Sequence, residues 1–287
     1  MASFETIQTN SIVYHTLIIF ISFTVLFGGI FGNTANILVL TRLKLFRNNS
    51  ATFYLVTESI VNVFQMLIPF TSRIAINSFD SDLTKTSLVW CKFRQVFSQI
   101  VALMTLSIIC FASFDQFLST SHYPYLRQSS TVRLARITVS SAALLSFIQA
   151  IPFVIYFEIR PLLGCSVYDA GIVIYTTYGY YFLLSGILPI FISSLFSILA
   201  YQNVRRIVRR QMAIRRRKLD QQLTAMILAR VTFFILTFTP YVVVRIYILV
   251  SMKTQPSVTN TALVQIVSNI STLLSFVNYS VDIHCSK

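Results

Sequence analysis

Long apolar segments recur along this chain, and the segment from Val96 to Phe114 contains no charged residue. A helix rises about 1.5 Å per residue, so the 24 steps from Cys91 to Asp115 cover roughly 36 Å, slightly more than the hydrocarbon core of a bilayer. These segments lack the alternation of apolar and polar residues that is typical of membrane β-strands. Charged residues make up 11% of the chain, whereas a soluble domain carries about 25%. The sequence therefore predicts an all-α membrane protein.

Seven segments are long enough to cross the bilayer, and together they predict that residues 1–287 form one seven-transmembrane helix bundle. The loops after spans 1, 3 and 5 are basic, and the last of them holds eight Lys or Arg residues between Arg205 and Lys218. Because basic loops stay in the cytoplasm, these loops are expected inside and the N-terminus outside. The same rule accounts for the net charge of +14, so no nucleic-acid partner is expected. The predicted spans cover residues 12–40, 51–76, 91–118, 137–156, 172–201, 223–250 and 258–282.

Polar residues inside the spans are expected to face the interior of the bundle, because a polar group in hydrocarbon is costly. Glu58 lies in span 2, and four further polar residues recur at mid-depth on spans 1, 2 and 7. These four predict an internal hydrogen-bonded network that holds water. The alternative is a set of separate interhelical contacts, each worth about 0.6 kcal/mol and without a signalling role. The four residues are Asn33, Asn62, Asn278 and Asp282.

Three arginines, Arg73, Arg94 and Arg245, lie one to two turns below the predicted outer ends of spans 2, 3 and 6. If they converge on one cavity, they favour an anionic group such as a peptide carboxylate or an acidic side chain. The alternative is that their guanidinium groups extend to the outer lipid headgroups. Four residues are expected to line the floor beneath them, unless they serve only in packing. These are Ser98, Ala102, Phe238 and Tyr241.

Several motifs occur together in a characteristic order. They are Gly32-Asn33 in span 1, Asn62 in span 2, Cys91 and Cys165 at the outer face, Asp115-Gln116-Phe117 at the inner end of span 3, Pro124 in the next loop, and Pro152, Pro189 and Pro240 in spans 4, 5 and 6. No one of these motifs is specific, but in their joint order and spacing the chain resembles the rhodopsin-like (class A) G-protein-coupled receptors over nearly its whole length.

The resemblance implies a disulfide between Cys91 and Cys165 and a signalling switch at the inner end of span 3. It also implies a plasma-membrane location, an extracellular ligand, a heterotrimeric G protein and movement of spans 5 and 6 at Pro189 and Pro240. No cofactor or enzymatic activity is expected, since no metal-ligand spacing, nucleophile triad or phosphate loop is found. The switch residues are Asp115, Gln116, Phe117 and Asp220.

The chain departs from the family pattern at both signalling motifs. Gln116 stands where the family has an arginine, so Asp220 has no arginine to hold at that position. Span 7 reads Asn278-Tyr279 where the family has Asn-Pro. The alternative for Asp115 is a carboxylate that faces water and pairs with a loop arginine. These departures leave open a receptor-like protein that does not couple, acting as a decoy or partner subunit.

The residues also restrict the ligand that the resemblance allows. Ser98 occupies the place of the span-3 aspartate of aminergic receptors, and span 7 has no lysine for retinal. A small peptide is therefore expected rather than a monoamine or retinal. A small transporter is the remaining alternative, although the halves of the chain show no internal repeat.

Overall fold

A computed structural model describes residues 2–42, 49–79, 83–160, 164–207, 214–254 and 262–280. Within these ranges the side chains of residues 2–15, 77–79, 206–207, 214–221, 223, 252–254 and 262 are not described. The ends of the helices nearest Cys91 and Cys165 are called outer, following the distribution of basic loops.

Seven helical spans make up most of the described chain. Span 2 includes a short π-helical stretch, and span 5 includes a longer one. Two short helices, Leu83–Thr86 and Pro124–Ser129, lie in the loops. The spans are Ala2–Arg42 (span 1), Ser50–Gln65 with Met66–Phe70 and Thr71–Phe79 (span 2), Leu88–Thr120 (span 3), Val132–Tyr156 (span 4), Ala170–Ile174 with Tyr175–Ile187 and Leu188–Ile207 (span 5), Ile214–Thr254 (span 6) and Ala262–Ser280 (span 7).

Spans 1 to 6 are long and apolar enough to cross a membrane by length and composition. Span 7 falls outside this group, and its 19 residues include polar side chains such as Gln265, Asn269 and Asn278. Span 7 packs mainly against spans 1 and 6. Its Asn269 accepts a hydrogen bond from Arg73 of span 2, and its Asn278 accepts one from Arg230 of span 6. The seven-helix fold predicted from the sequence is confirmed.

Capping side chains decide where spans 3 and 4 begin. The Ser87 hydroxyl accepts a hydrogen bond from the Trp90 backbone N–H at 3.3 Å, and Thr131 accepts one from Leu134 at 3.2 Å. An N-cap satisfies backbone donors that a helix start leaves open. Span 4 therefore begins at Val132 rather than near residue 137, because the cap lies before the apolar run that marks the span in the sequence.

Span 3 is the central helix and contacts spans 2, 4, 5 and 6. The main core forms around it, where Leu106 and Ile108 meet Tyr54 of span 2 and Phe234 of span 6. Span 1 lies at the edge against spans 2 and 7. Its close approach to span 7 depends on Gly29, where an added Cβ would lie 2.9 Å from the Cβ of Ser280.

Prolines accompany the irregular parts of the helices. Pro189 is the second residue after the π-helical stretch Tyr175–Ile187 of span 5, and Pro69 lies within the shorter stretch of span 2. Proline cannot donate the intrahelical hydrogen bond, so the turn before it relaxes to another hydrogen-bond pattern. Pro152 and Pro240 lie within the continuous helices of spans 4 and 6.

A β-hairpin, absent from the sequence prediction, follows span 4 on the outer side. Strands β1 (Phe157–Arg160) and β2 (Gly164–Val167) pair antiparallel, with Ile159 opposite Cys165. Gly164 begins β2 with φ of +80°, a conformation that residues with a Cβ rarely adopt.

Candidate functional site

The hairpin is fixed to the outer end of span 3 by a disulfide between Cys91 and Cys165. The two Cα atoms lie 5.9 Å apart, and the Cys91 side chain is fully buried. Phe153 and Tyr180 pack around this bridge. The predicted disulfide is confirmed, and it holds β2 across the opening between the spans.

Tyr168 fixes the end of the hairpin. Its hydroxyl donates a hydrogen bond to the Gly164 carbonyl at 2.5 Å, and the Arg160 guanidinium lies 4.4 Å from the centre of its ring. Partial burial raises the pKa of the Tyr168 phenol, the nearby Arg160 opposes this rise, and Glu158 adds to it. The protonated phenol therefore stays a hydrogen-bond donor at neutral pH.

A cavity of about 340 Å³ opens beneath the hairpin, between spans 2, 3, 5, 6 and 7. Gly164 and Cys165 of β2 form part of its roof, and Phe238 lies at its floor. The structure brings all seven residues of the predicted ligand pocket to this one cavity. They are Arg73, Arg94, Ser98, Ala102, Phe238, Tyr241 and Arg245.

Positive charge distinguishes the cavity. Lys85, from the short outer helix Leu83–Thr86, joins the three arginines at its wall. Among the described residues that line it, none is Asp or Glu. Together, the three arginines and Lys85 line this one space with four cationic side chains. Low-dielectric walls strengthen such a field because water screens it less than at an open surface.

Neighbouring side chains hold two of these arginines in place. Arg73 donates to the Oδ1 atom of Asn269 at 3.1 Å, which links span 2 to span 7. Arg245 lies over the ring of Tyr241, with its guanidinium carbon 5.5 Å from the ring centre. Their guanidinium groups line the interior, in contrast to the alternative in which they extend to the outer headgroups.

Asp115, at the inner end of span 3, is 2% exposed. Its Oδ2 atom accepts a hydrogen bond from Ser50 at 2.6 Å, and its Oδ1 atom accepts one from Ser130 at 2.8 Å. The interpretation in which Asp115 faces water and pairs with a loop arginine is therefore wrong for this structure. Two hydroxyl groups that lie far apart in sequence reach the carboxylate and exclude water from it, tying span 3 to the starts of spans 2 and 4.

The next two residues of the motif contact different helices. The Oε1 atom of Gln116 accepts a hydrogen bond from the Thr224 hydroxyl of span 6 at 3.2 Å. The ring of Phe117 lies 5.6 Å from that of Phe196 in span 5. The three-residue motif thus joins the inner end of span 3 to spans 2, 5 and 6. Asp220, the fourth switch residue, lies in span 6, and its side chain is outside the described part.

A buried ion pair joins spans 2 and 6 in the inner half of the bundle. The Oε1 atom of Glu58 lies 2.6 Å from Nη2 and 2.8 Å from Nε of Arg230. Both side chains are nearly inaccessible, at 3% and 6% exposure. Arg230 also donates through Nη1 to the side chain and the carbonyl of Asn278, at 2.7 and 2.8 Å, so span 7 is held as well.

The predicted asparagine network resolves into separate contacts among the described residues. Asn33 donates to the carbonyl of Tyr279 in span 7 at 2.9 Å. Asn62 accepts from Thr105 of span 3 at 3.3 Å, and Asn278 receives Arg230. Within the described chain, no hydrogen bond joins one of these asparagines to another. Asp282 lies outside the described residues.

Comparison with known proteins decides the identity of this arrangement. Residues 32–282 match the family of 7 transmembrane receptors (rhodopsin family). The chain belongs to this receptor family. No curated protein sequence matches it. The family predicted from the motifs is confirmed. The chain is a receptor of the G-protein-coupled type and a multi-pass membrane protein. The plasma membrane is the typical location of this family.

Within this rhodopsin-family receptor, Glu58 and Arg230 form the connection that sequence reasoning missed. Each is an isolated charge in an apolar stretch, and ionisable groups inside a membrane almost always pair. Opposite isolated charges at similar depth on two spans were the available signal. Lys85 was missed because it belongs to a loop helix rather than to a span.

Proposed function

We propose that this receptor binds an extracellular ligand through an anionic group and relays binding to a heterotrimeric G protein by movement of spans 5 and 6. One observation carries the proposal: four cationic side chains and no described carboxylate line a single cavity beneath the disulfide-linked hairpin. Arginine presents a planar set of donors that suits a carboxylate.

The ligand that fits best is a short peptide that inserts its C-terminal carboxylate or an acidic side chain. The cavity of about 340 Å³ is near the lower end of the range of roughly 300–1,000 Å³ for small-molecule sites. It therefore receives one or two residues, and the rest of the peptide lies outside against the hairpin. A cationic monoamine would find no carboxylate among the described lining residues to pair with its ammonium group.

Signal transmission in this proposal is a shift between two packings of the helices. Tyr241 and Arg245 line the cavity on the outer half of span 6, while Arg230 and Thr224 hold the inner half to spans 2, 7 and 3. Pro189 and Pro240 are the positions at which spans 5 and 6 bend. A ligand shifts the balance only by binding one packing better than the other.

The binding test screens short peptides, each with a free and an amidated C-terminus, against the purified receptor. We expect Arg94→Gln and Arg245→Gln each to weaken binding of the free acid about ten-fold or more, since a hydrogen bond to a charged group contributes roughly 1.5–3 kcal/mol. Arg133→Gln, at the exposed inner end of span 4 and far from the cavity and the hairpin, is the matched control and should bind normally. Equal binding of acid and amide, unaffected by either cavity variant, would overturn the anionic site.

The coupling test measures G-protein activation by the unmodified chain and by Gln116→Arg. Activation of the unmodified chain by a bound peptide excludes the decoy function. If the receptor reaches the surface and binds the peptide but activates no G protein in either form, the non-coupling alternative holds instead. The two tests thus separate ligand recognition from signal output.

A further inference from the structure

A second space of about 700 Å³ lies on the lipid-facing side of the bundle, in a groove between the inner halves of spans 5 and 6. Small side chains, Ala225, Ala229 and Thr232, leave a trough along span 6. Leu228, Phe233 and Leu236 make its wall apolar. Leu236 is 69% exposed, so the groove faces the surrounding lipid rather than the interior.

The groove has the length of one lipid leaflet. From Thr224 to Leu236 span 6 rises about 18 Å at 1.5 Å per residue. Half of the hydrocarbon core is roughly 15 Å. The groove thus runs from the inner membrane surface to the middle of the bilayer, which is the depth occupied by one acyl chain.

A cation lies at the inner end of the groove. Arg205 lines it, and its guanidinium carbon lies 5.7 Å from the ring centre of Tyr201, which also lines it. No acidic side chain lines the groove among the described residues, and Arg205, in the last turn of span 5, is the first of eight cations between residues 205 and 218. A guanidinium group at the depth of the lipid headgroups, at the end of an apolar trough, suits the phosphate of an anionic lipid.

We propose that this groove binds an anionic phospholipid of the inner leaflet, with its headgroup on Arg205 and one acyl chain along span 6 between Thr224 and Leu236. The site is separate from the outer cavity and does not depend on the ligand proposed for it. Thr224 lines the groove and donates to Gln116 of span 3. The bound acyl chain therefore stabilises the packing of spans 5 and 6 in which Thr224 contacts Gln116.

The test measures lipid retention by native mass spectrometry of the full chain in detergent. The probes are phosphatidylserine and phosphatidylcholine with identical acyl chains. We expect preferential retention of phosphatidylserine by the unmodified chain. Arg205→Gln should reduce this retention about five-fold, the equivalent of roughly 1 kcal/mol per cation near an anionic membrane. Ala229→Phe, which fills the trough, should abolish it.

Two control variants test whether the effect belongs to the groove. Arg133→Gln removes a cation at the inner end of span 4, and Leu145→Phe adds bulk to the exposed face of span 4. Both should retain phosphatidylserine normally. A unimodal thermal transition in each variant establishes that it is folded.

Three outcomes would overturn the proposal. Equal retention of the two lipids would mean that no headgroup is recognised. An equal loss in Arg133→Gln and Arg205→Gln would mean that charge acts diffusely over the inner surface. A receptor dimer that Ala229→Phe dissociates, without retained lipid, would make a second copy of the chain the occupant.

Discussion

At the scale of single residues, the inner half of this receptor contains a buried ion pair that lies outside the Asp115-Gln116-Phe117 motif. The family arginine of span 3 is replaced by Gln116, whose hydrogen bond to Thr224 carries no charge. A buried cation is instead supplied by Arg230 on span 6, with Glu58 on span 2 as its anion. An ion pair thus still connects span 6 to the bundle, although neither of its members belongs to the three-residue motif.

Removal of one member of this pair should destabilise the receptor strongly. Glu58→Gln or Arg230→Met leaves one buried charge without its partner, which typically costs about 3–5 kcal/mol. Replacement of both, by Glu58→Leu with Arg230→Met, should recover much of this loss because no lone charge remains. Thermal unfolding of the purified receptor measures both effects.

The matched control for this prediction is Glu158→Gln. Glu158 pairs with Arg160 at 3.7 Å, but both side chains are more than half exposed. Such exposed pairs contribute little to stability, with a median of about 0–1 kcal/mol. If Glu58→Gln changed the unfolding temperature no more than Glu158→Gln, the buried pair would not stabilise the bundle.

At the scale of elements, the hairpin and span 3 act as one unit because the disulfide joins them. β2 contributes Gly164 and Cys165 to the cavity, while span 3 contributes Arg94 and Ser98. The position of the cavity roof therefore depends on a covalent bond between residues 74 positions apart.

Loss of this bridge should loosen the roof without unfolding the spans. We expect Cys91→Ser with Cys165→Ser to lower stability by about 2–5 kcal/mol and to weaken peptide binding. In the unmodified chain, neither cysteine should react with a thiol reagent until reductant is added. Cys110→Ala, which removes a buried thiol away from the hairpin, is the control and should bind ligand normally. Alkylation of Cys91 and Cys165 without reductant would contradict the bridge.

At the scale of the whole molecule, charge sets the direction in which the bundle crosses the membrane. Basic residues are concentrated in the loops after spans 1, 3 and 5, whereas the cationic side chains at the other end point into a cavity. The loop cations orient the chain during insertion, whereas we propose that the cavity cations serve recognition.

Impermeant thiol labelling of intact cells tests this orientation. In a Cys285→Ser background, Ser3→Cys should react on intact cells because the N-terminus is outside. Ala213→Cys, in the loop after span 5, should react only after the cells are permeabilised. The background chain without either new cysteine is the control. The reverse labelling pattern would require the opposite orientation.

The sequence by itself determined the membrane class, the seven spans, the receptor family and seven of the residues around the outer cavity. Apolar runs and basic loops are local properties that can be read along the chain. The predicted outer ends of spans 2, 3 and 6 supplied the depth of Arg73, Arg94 and Arg245, since each is counted from the end of its own span. The disulfide between Cys91 and Cys165 was implied by the resemblance to the receptor family.

Only the tertiary structure decided which polar groups meet. Glu58 and Arg230 lie 172 positions apart, and their contact depends on how spans 2 and 6 rotate about their axes and pack. The burial of Asp115 against Ser50 and Ser130, and the hairpin over the cavity, likewise arise from pairings between distant segments. Depth is fixed by position along one helix, whereas partnership is fixed by the packing of all seven.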